Sequence, residues 1–306
     1  MILCAGESLI DMVPDGANYR PLSGGSVYNT TVALGRMGAP TGYLWPISRD
    51  GFGEQLLRPL IEAGVDTSLC PRSDRLTTLA FVTLVEGEAR YAFYDEGSAG
   101  RMLAPADLPQ IPDTVSALFI GGISLVPDPC GAAIETLAER LRPRIPVILD
   151  PNIRPFFITD EAAYRARLAR LLGLADMVKL SGDDLDWLMP GKSFAEAAAE
   201  ILAKGAKVVF QTGGSAGARA HWSGDSINAP ATRVEVADTI GAGDTFNAGV
   251  LGSLHAQGAL SHDGLANLTS DTLLRALTLG TRAAAITVSR PGANPPWKHE
   301  LDALPA

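Results

Sequence analysis

The chain of 306 residues is long enough for one large α/β domain carrying an insertion, or for two small domains. Apolar residues make up 46% of it and aromatics only 6%, which suits parallel strands covered by helices better than an aromatic-rich β-sandwich. The net charge of −9, from 25 basic and 34 acidic residues, and the lack of any Lys/Arg run argue against nucleic acid as a partner, though not against a small anionic ligand.

In chain order, the apolar run Met1–Gly6 predicts a buried strand and Leu9–Val13 a more exposed one that contains Asp11. Helical spacing of Val27, Val32, Leu34 and Met37 predicts a helix over Ser26–Met37, directly after Gly24-Gly25. Thr41–Ile47 reads as a strand and Gly53–Ala63 as a helix stopped by Gly64. Leu79–Val85 and Ala89–Tyr94, separated by Glu86-Gly87-Glu88, form the clearest hairpin, and its period of two predicts a separate small sheet acting as a lid.

From Val115 onward strands and helices alternate. Strands are expected at Leu118–Gly121, Val147–Leu149, Met177–Leu180 and Val208–Gln211, with helices at Cys130–Leu141, Glu161–Leu172 and Phe194–Ala203. Such repetition implies a parallel sheet with helices on both faces. A surface hairpin is expected over Ala218–Asn228, and Val234–Val236 should lead as a strand into a glycine turn. Helices from Asp244 to Gln257 and over Thr272–Ala285 complete the pattern. The fold class is α/β, a doubly wound, mostly parallel sheet, as a single domain over 1–306 with a β-lid formed by about 9–23 and 76–98.

Cys4, Cys70 and Cys130 lack C-x-x-C spacing and read as reduced thiols, and the four histidines show no metal-ligand spacing. With no signal-like segment and no apolar span of about 18 residues, the expectation is a cytoplasmic protein without a membrane partner.

In doubly wound sheets ligands gather at the carboxyl ends of strands. Asp11, Gly24-Gly25, Asp150, Lys179, Gln211-Thr212-Gly213 and the turn at 241–244 cluster around predicted strand ends. The strongest single signal is Asp238-Thr239-Ile240-Gly241-Ala242-Gly243-Asp244-Thr245-Phe246-Asn247-Ala248-Gly249. Its glycines let the backbone turn tightly at a helix start, where N–H groups and the helix dipole stabilise anionic oxygens. Asp244 beside those donors could take a proton from an attacking hydroxyl, or could be an ordinary helix-capping residue. The chain has neither a Walker A loop nor a G-x-G-x-x-G after its first strand.

The 238–249 segment resembles the C-terminal signature of the ribokinase-like (PfkB) carbohydrate kinases. Gly24-Gly25-x-x-x-Asn29, with Gly35 and Gly38, resembles their N-terminal signature. Within that family the likeness is to bacterial fructokinases. It is carried by Ala89–Asp95, Ser98–Leu103 and Asp150-Pro151-Asn152-Ile153-Arg154-Pro155. The resemblance implies a Rossmann-like core with a β-lid, ATP as donor, magnesium, and transfer to a primary hydroxyl of a sugar, fructose first.

By resemblance Asp244 is the base and Gly241, Ala242 and Gly243 the anion hole. Asp11, Gly24, Gly25 and Asn29 bind the sugar, with Tyr91, Phe93 and Arg101 on the lid side and Arg154 at substrate or phosphate. Lys179, Thr212, Gly214, Gly217, Gly243, Asn247 and Thr281 surround ATP. Where the family often has Asn-x-x-Glu, this chain has Ser181-Gly182-Asp183-Asp184, so Asp184 is either a water-linked magnesium site or a capped helix start. Asp238, Ile240 and Arg290-Pro291-Gly292 resemble a region that binds potassium in some relatives.

The bland alternatives are a solvated strand residue for Asp11, an intrahelical bond for Asn29, a surface ion pair for Arg154 and simple packing for the lid aromatics. A kinase for 2-keto-3-deoxygluconate or another sugar or nucleoside is the alternative enzyme, and a sugar- or nucleotide-binding regulator the alternative without catalysis. A homodimer through pairing of the lid with a second subunit's lid, as in several relatives, is one assembly that the resemblance allows, and the sequence does not fix the assembly state.

Overall fold

The computed structural model describes residues 1–85, 88–223 and 225–303. The turn expected at Glu86-Gly87 lies outside the described residues.

The first half of the chain runs β1 (Ile2–Ala5), β2 (Leu9–Asp15), β3 (Asn18–Gly24), α1 (Ser26–Arg36), β4 (Thr41–Leu44), β5 (Ile47–Ser48), α2 (Gly51–Glu62), β6 (Arg72–Ser73), β7 (Leu79–Val85) and β8 (Glu88–Tyr94). It continues through β9 (Ala117–Gly121), α3 (Cys130–Leu141), β10 (Val147–Asp150), α4 (Glu161–Leu174), β11 (Met177–Ser181), α5 (Gly182–Leu188), α6 (Phe194–Ala203) and β12 (Val208–Thr212). After the hairpin β13 (Ala218–Trp222) and β14 (Asp225–Ala229) come α7 (Ala242–Ala256), α8 (His262–Ala266), α9 (Ser270–Val288) and α10 (Lys298–Asp302).

Among the described residues the strands form an eight-stranded sheet ordered β14-β13-β12-β11-β10-β9-β1-β4, a four-stranded sheet β3-β2-β7-β8 and the pair β5-β6. In the large sheet β4, β1, β9, β10, β11 and β12 are parallel, and β13 and β14 add an antiparallel hairpin at one edge. The parallel strands are apolar runs buried on both faces. All four residues of β1 and all five of β9 are buried, as expected of strands covered by helices on either side. Chain order reverses between β1 and β9, so a crevice opens at their carboxyl ends, where ligands settle in such sheets.

Two elements differ from expectation. Val234–Val236 forms no strand: Val236 is 61% exposed, and the chain here is held by the Ala237 N–H donating to the Val288 carbonyl at 2.8 Å. With no strand edge beside it, the apolar spelling has nothing to pair with. The strand expected over Thr41–Ile47 breaks at Trp45-Pro46, where proline has no N–H to give a ladder, and resumes as the short β5.

Candidate active site

The site is built around the start of α7. Gly241 is its N-cap in the left-handed region (φ 77°), and a side chain there would run into Ala293, so the turn needs glycine. The reversal brings the first N–H groups of α7, which lack intrahelical acceptors, and the positive dipole end to one point.

Asp244 sits in the first turn of α7 and is 7% exposed. Its side chain makes no cap. Instead Oδ2 accepts from Asn29 Nδ2 of α1 at 2.9 Å, and its carbonyl accepts from Thr30 Oγ1 at 3.2 Å. Burial, helped by Asp150, raises its pKa to about 7, while Asn29, Lys179 and Arg154 pull the other way. A carboxyl poised at neutral pH suits a general base.

Asn29 is oriented by α1, whose N-cap Gly25 offers no side chain. Glu7, just past β1, takes over: Oε1 accepts from the Ser26 N–H and Oγ, both at 2.8 Å, and Oε2 from the Ser124 N–H at 3.1 Å. This buried carboxylate fastens β1, α1 and the 122–125 turn together, and sequence reasoning missed it. Its position straight after a predicted strand was the signal available.

Asp11 lies in β2, with its carboxylate against Gly24. Burial alone raises its pKa to about 6, and among the described residues nothing donates to it or pairs with it. Asp11 thus lies beside Gly24, which leads through Gly25 into the helix that carries Asn29. Tyr91 and Phe93 project from the same face of the small sheet as Asp11. They stack on Phe156 at 5.1 and 6.2 Å between ring centroids, and Phe93 meets Phe157 edge-on at 4.7 Å. Phe156 and Phe157 were not singled out from sequence, since two aromatics after a proline read as packing. Arg154, next to them, donates to the Ile153 carbonyl and has no carboxylate partner among the described residues, so the ion-pair alternative falls.

Arg101 lies next to Phe157. It pairs with Asp95 at 3.1 Å, donates to the Asp128 carbonyl at 3.0 Å, and lines a small cavity of about 10 Å³ with Glu7, Ser8 and Phe157.

A cleft of about 760 Å³ opens beyond the ends of β11 and β12. Thr212, Gly214 and Gly217 line it as expected, joined by Asp183, Arg219 and Asn228, which had not been picked out. The four other residues expected around a nucleotide, Lys179, Gly243, Asn247 and Thr281, lie off its walls. Lys179 and Asn247 are buried in contact with Asp150, and Thr281 donates to the Thr278 carbonyl within α9. Gly243 lies above Lys179, 3.5 Å separating Nζ from the place a Cβ would take.

Asp184 is the capped helix start. Oδ2 accepts from the Ser181 N–H and Oγ, both at 2.7 Å, and Oδ1 from the Ile153 N–H at 2.7 Å, so both oxygens already have protein donors. No group of three or more His, Cys, Asp or Glu suited to a metal occurs among the described residues. Asp238 bridges two loops, Oδ1 accepting from Ile240 N–H at 3.0 Å and Oδ2 from Gly292 N–H at 2.9 Å.

The chain is 45% identical over 278 residues to a fructokinase of Rhizobium leguminosarum bv. trifolii, covering 89% of this chain and 85% of that protein. It is 30% identical to a fructokinase of Klebsiella pneumoniae over 97% and 96% of the two chains. A fructokinase of Xylella fastidiosa, solved with bound ATP, superposes with a TM-score of 0.91 at 27% identity, covering 99% of this chain and 97% of that one. The family model described as pfkB family carbohydrate kinase matches residues 1–300, and the chain belongs to that family.

Proposed function

We propose that the protein is an ATP-dependent fructokinase in which Asp244 takes the proton of the sugar's primary hydroxyl. The observation that carries this is a nearly buried carboxyl, with a pKa of about 7, beside the amide donors of a left-handed glycine turn. The fructokinase relatives at 45% and 30% identity support the sugar, and the ATP-bound relative supports the nucleotide.

ATP lies in the cleft lined by Thr212, Gly214 and Gly217, with its phosphates running toward the 241–243 turn. The sugar lies between that turn and the small sheet, its hydroxyls donating to Asp11 and meeting Asn29 and the Gly24-Gly25 backbone. The half-buried Asp11 carboxylate, without a partner among the described residues, is suited to such donors, because a partly desolvated acceptor gains most from a ligand that supplies a hydrogen bond. The small sheet is the lid: its aromatic contacts with Phe156 and Phe157 shut the sugar side, and excluding water limits ATP hydrolysis. As the γ-phosphoryl moves in line, Asp244 accepts the hydroxyl proton and the 241–243 amides receive the charge spreading over the phosphoryl oxygens.

Magnesium usually keeps several waters and needs only one or two carboxylates besides phosphate. Asp183 on the cleft wall would meet that demand through water, while Asp184, both of whose oxygens accept from protein donors, would hold the helix start behind it; the ion would neutralise the phosphate charge. Potassium would be held by backbone carbonyls of the 238–240 and 290–292 loops, which Asp238 ties together.

The outer face of the small sheet carries Tyr19 and Tyr94, both exposed, packed on Phe81. It is the surface through which two copies would pair. Arg154, which has no carboxylate ion-pair partner among the described residues, keeps an acid sugar as second acceptor. Coupled ADP release measured with fructose, ribose, 2-keto-3-deoxygluconate and adenosine should give the highest kcat/KM for fructose. Preference for 2-keto-3-deoxygluconate would replace the assignment, and sugar binding without ADP release would make the protein a regulator.

A further inference from the structure

Beneath the Gly241–Gly243 turn lies a buried polar network that the scheme above leaves without a task. Lys179 Nζ stands 3.1 Å from Asp150 Oδ2 and 3.4 Å from Oδ1. The same Oδ2 accepts from Asn247 Nδ2 at 2.6 Å, and Oδ1 accepts from the Asn152 N–H at 3.2 Å. Asp150, Lys179 and Asn247 are 2%, 4% and 3% exposed. Asp184 holds the next residue, Ile153, by its N–H. Asn247 is one turn beyond Asp244 on α7, and residues 151–154 end at Arg154. One ion pair therefore grips both the helix that carries the base and the loop that carries the arginine.

A buried ion pair seldom stabilises a fold more than apolar packing of the same shape. Orientation is the better reason for its presence. The Lys179 ammonium lies under the backbone of Gly243, off the walls of the nucleotide cleft, which sets it apart from a lysine that grips phosphate directly.

We infer that Lys179 and Asp150 are positioning residues: with Asn247 they lock the start of α7 and the Arg154 loop into one arrangement, so that base and amide donors face the same point. This rests on the assignment of Asp244 as base. The pair also sets the charge that Asp244 meets. Asn29 and Thr30 reach it from α1, Asp150 from β10, Lys179 from β11 and Arg154 from its loop. Of the charged groups Asp150 raises its proton affinity, whereas Lys179 and Arg154 lower it. Burial works against the Lys179 charge, but Asp150, Asp184 and Asp244 together hold it protonated.

The test is steady-state kinetics of the whole protein with fructose and ATP over a range of pH, with folding followed by circular dichroism. Lys179→Met is expected to lower kcat about a hundredfold, the scale of a small misplacement of reacting groups, with the ATP KM unchanged and Lys179→Arg restoring part of the loss. Asp150→Asn should move the acid limb of kcat/KM, set near pH 7 by Asp244, about one unit lower. A raised ATP KM with unchanged kcat in Lys179→Met, or an unmoved acid limb in Asp150→Asn, overturns the inference. Should Lys179→Met not fold, the double variant Asp150→Asn/Lys179→Met, in which neither member of the pair is left charged without the other, carries the same comparison of kcat with ATP KM. Full turnover in Asp244→Asn would remove the base itself. Lost turnover there together with an unmoved limb in Asp150→Asn removes the positioning role alone.

Discussion

Asp244 carries opposing demands that its surroundings make measurable. Its folded pKa of about 7 lies above the ordinary 3.8 because burial disfavours the charge. The native state therefore binds a proton more tightly than the unfolded chain between those values, and the stability this contributes below pH 3.8 is lost as pH rises to about 7. Asp244→Asn removes the cost of the buried charge while its amide oxygen can still accept from Asn29. Above pH 7 the variant should be the more stable, by up to about 4 kcal/mol, and near pH 4 the difference should vanish. Urea unfolding at the two pH values measures this; equal gaps at both would mean the carboxylate is not held in a costly place. Asp244 was legible from its motif because the glycines around it announce a turn. Glu7 was not, since a lone acid after an apolar strand ordinarily reads as solvated, and only the folded chain brings Ser26 and Ser124 to it.

Elements spelled by burial were easier to read than elements made by pairing. The strands β1, β9, β10, β11 and β12 are short apolar runs bounded by glycine, proline or polar residues, and their bounds fall within a residue or so of expectation. The helices α3 and α6 coincide with the expected bounds because their apolar faces repeat at helical spacing. By contrast β3 was not named as a strand of its own, only taken within the lid range 9–23: Asn18–Gly24 contains Pro21 and exposed polar residues, a spelling tolerated at the edge of the small sheet. For α5 only the start was legible, as the capped-helix alternative at Ser181–Asp184, while its extent over Gly182–Leu188 was not; the helix depends on that capping box. Val234–Val236 shows the converse. Apolar spelling without a neighbouring edge makes no strand, and the segment instead leads the chain over the surface to the turn.

At the scale of the molecule, the crevice at the β1–β9 reversal, the turn before α7 and the small sheet converge on one site although the two signature motifs lie more than two hundred residues apart. That distance is why the cleft wall at Asp183, Arg219 and Asn228 was invisible to motif reading: no local pattern marks a residue that lines a cavity from another strand. The acidic balance of the chain does not oppose phosphate binding, because the donors that count are backbone N–H groups at a helix start. The paired outer faces of two small sheets would add a second level of order. Tyr94→Lys places a charge in the exposed aromatic cluster and should convert a dimer into monomers in sedimentation equilibrium. A wild-type protein that is already monomeric would contradict that assembly.

If Asp244 takes the hydroxyl proton as proposed, one measurement shows it most directly: kcat and the fructose dissociation constant of Asp244→Asn, side by side. Sugar affinity should stay within a few-fold of wild type, and turnover should fall by at least about two to four orders of magnitude, the usual contribution of a general base. Turnover close to wild type with sugar binding intact would mean that another group accepts the proton and that the site has been misread.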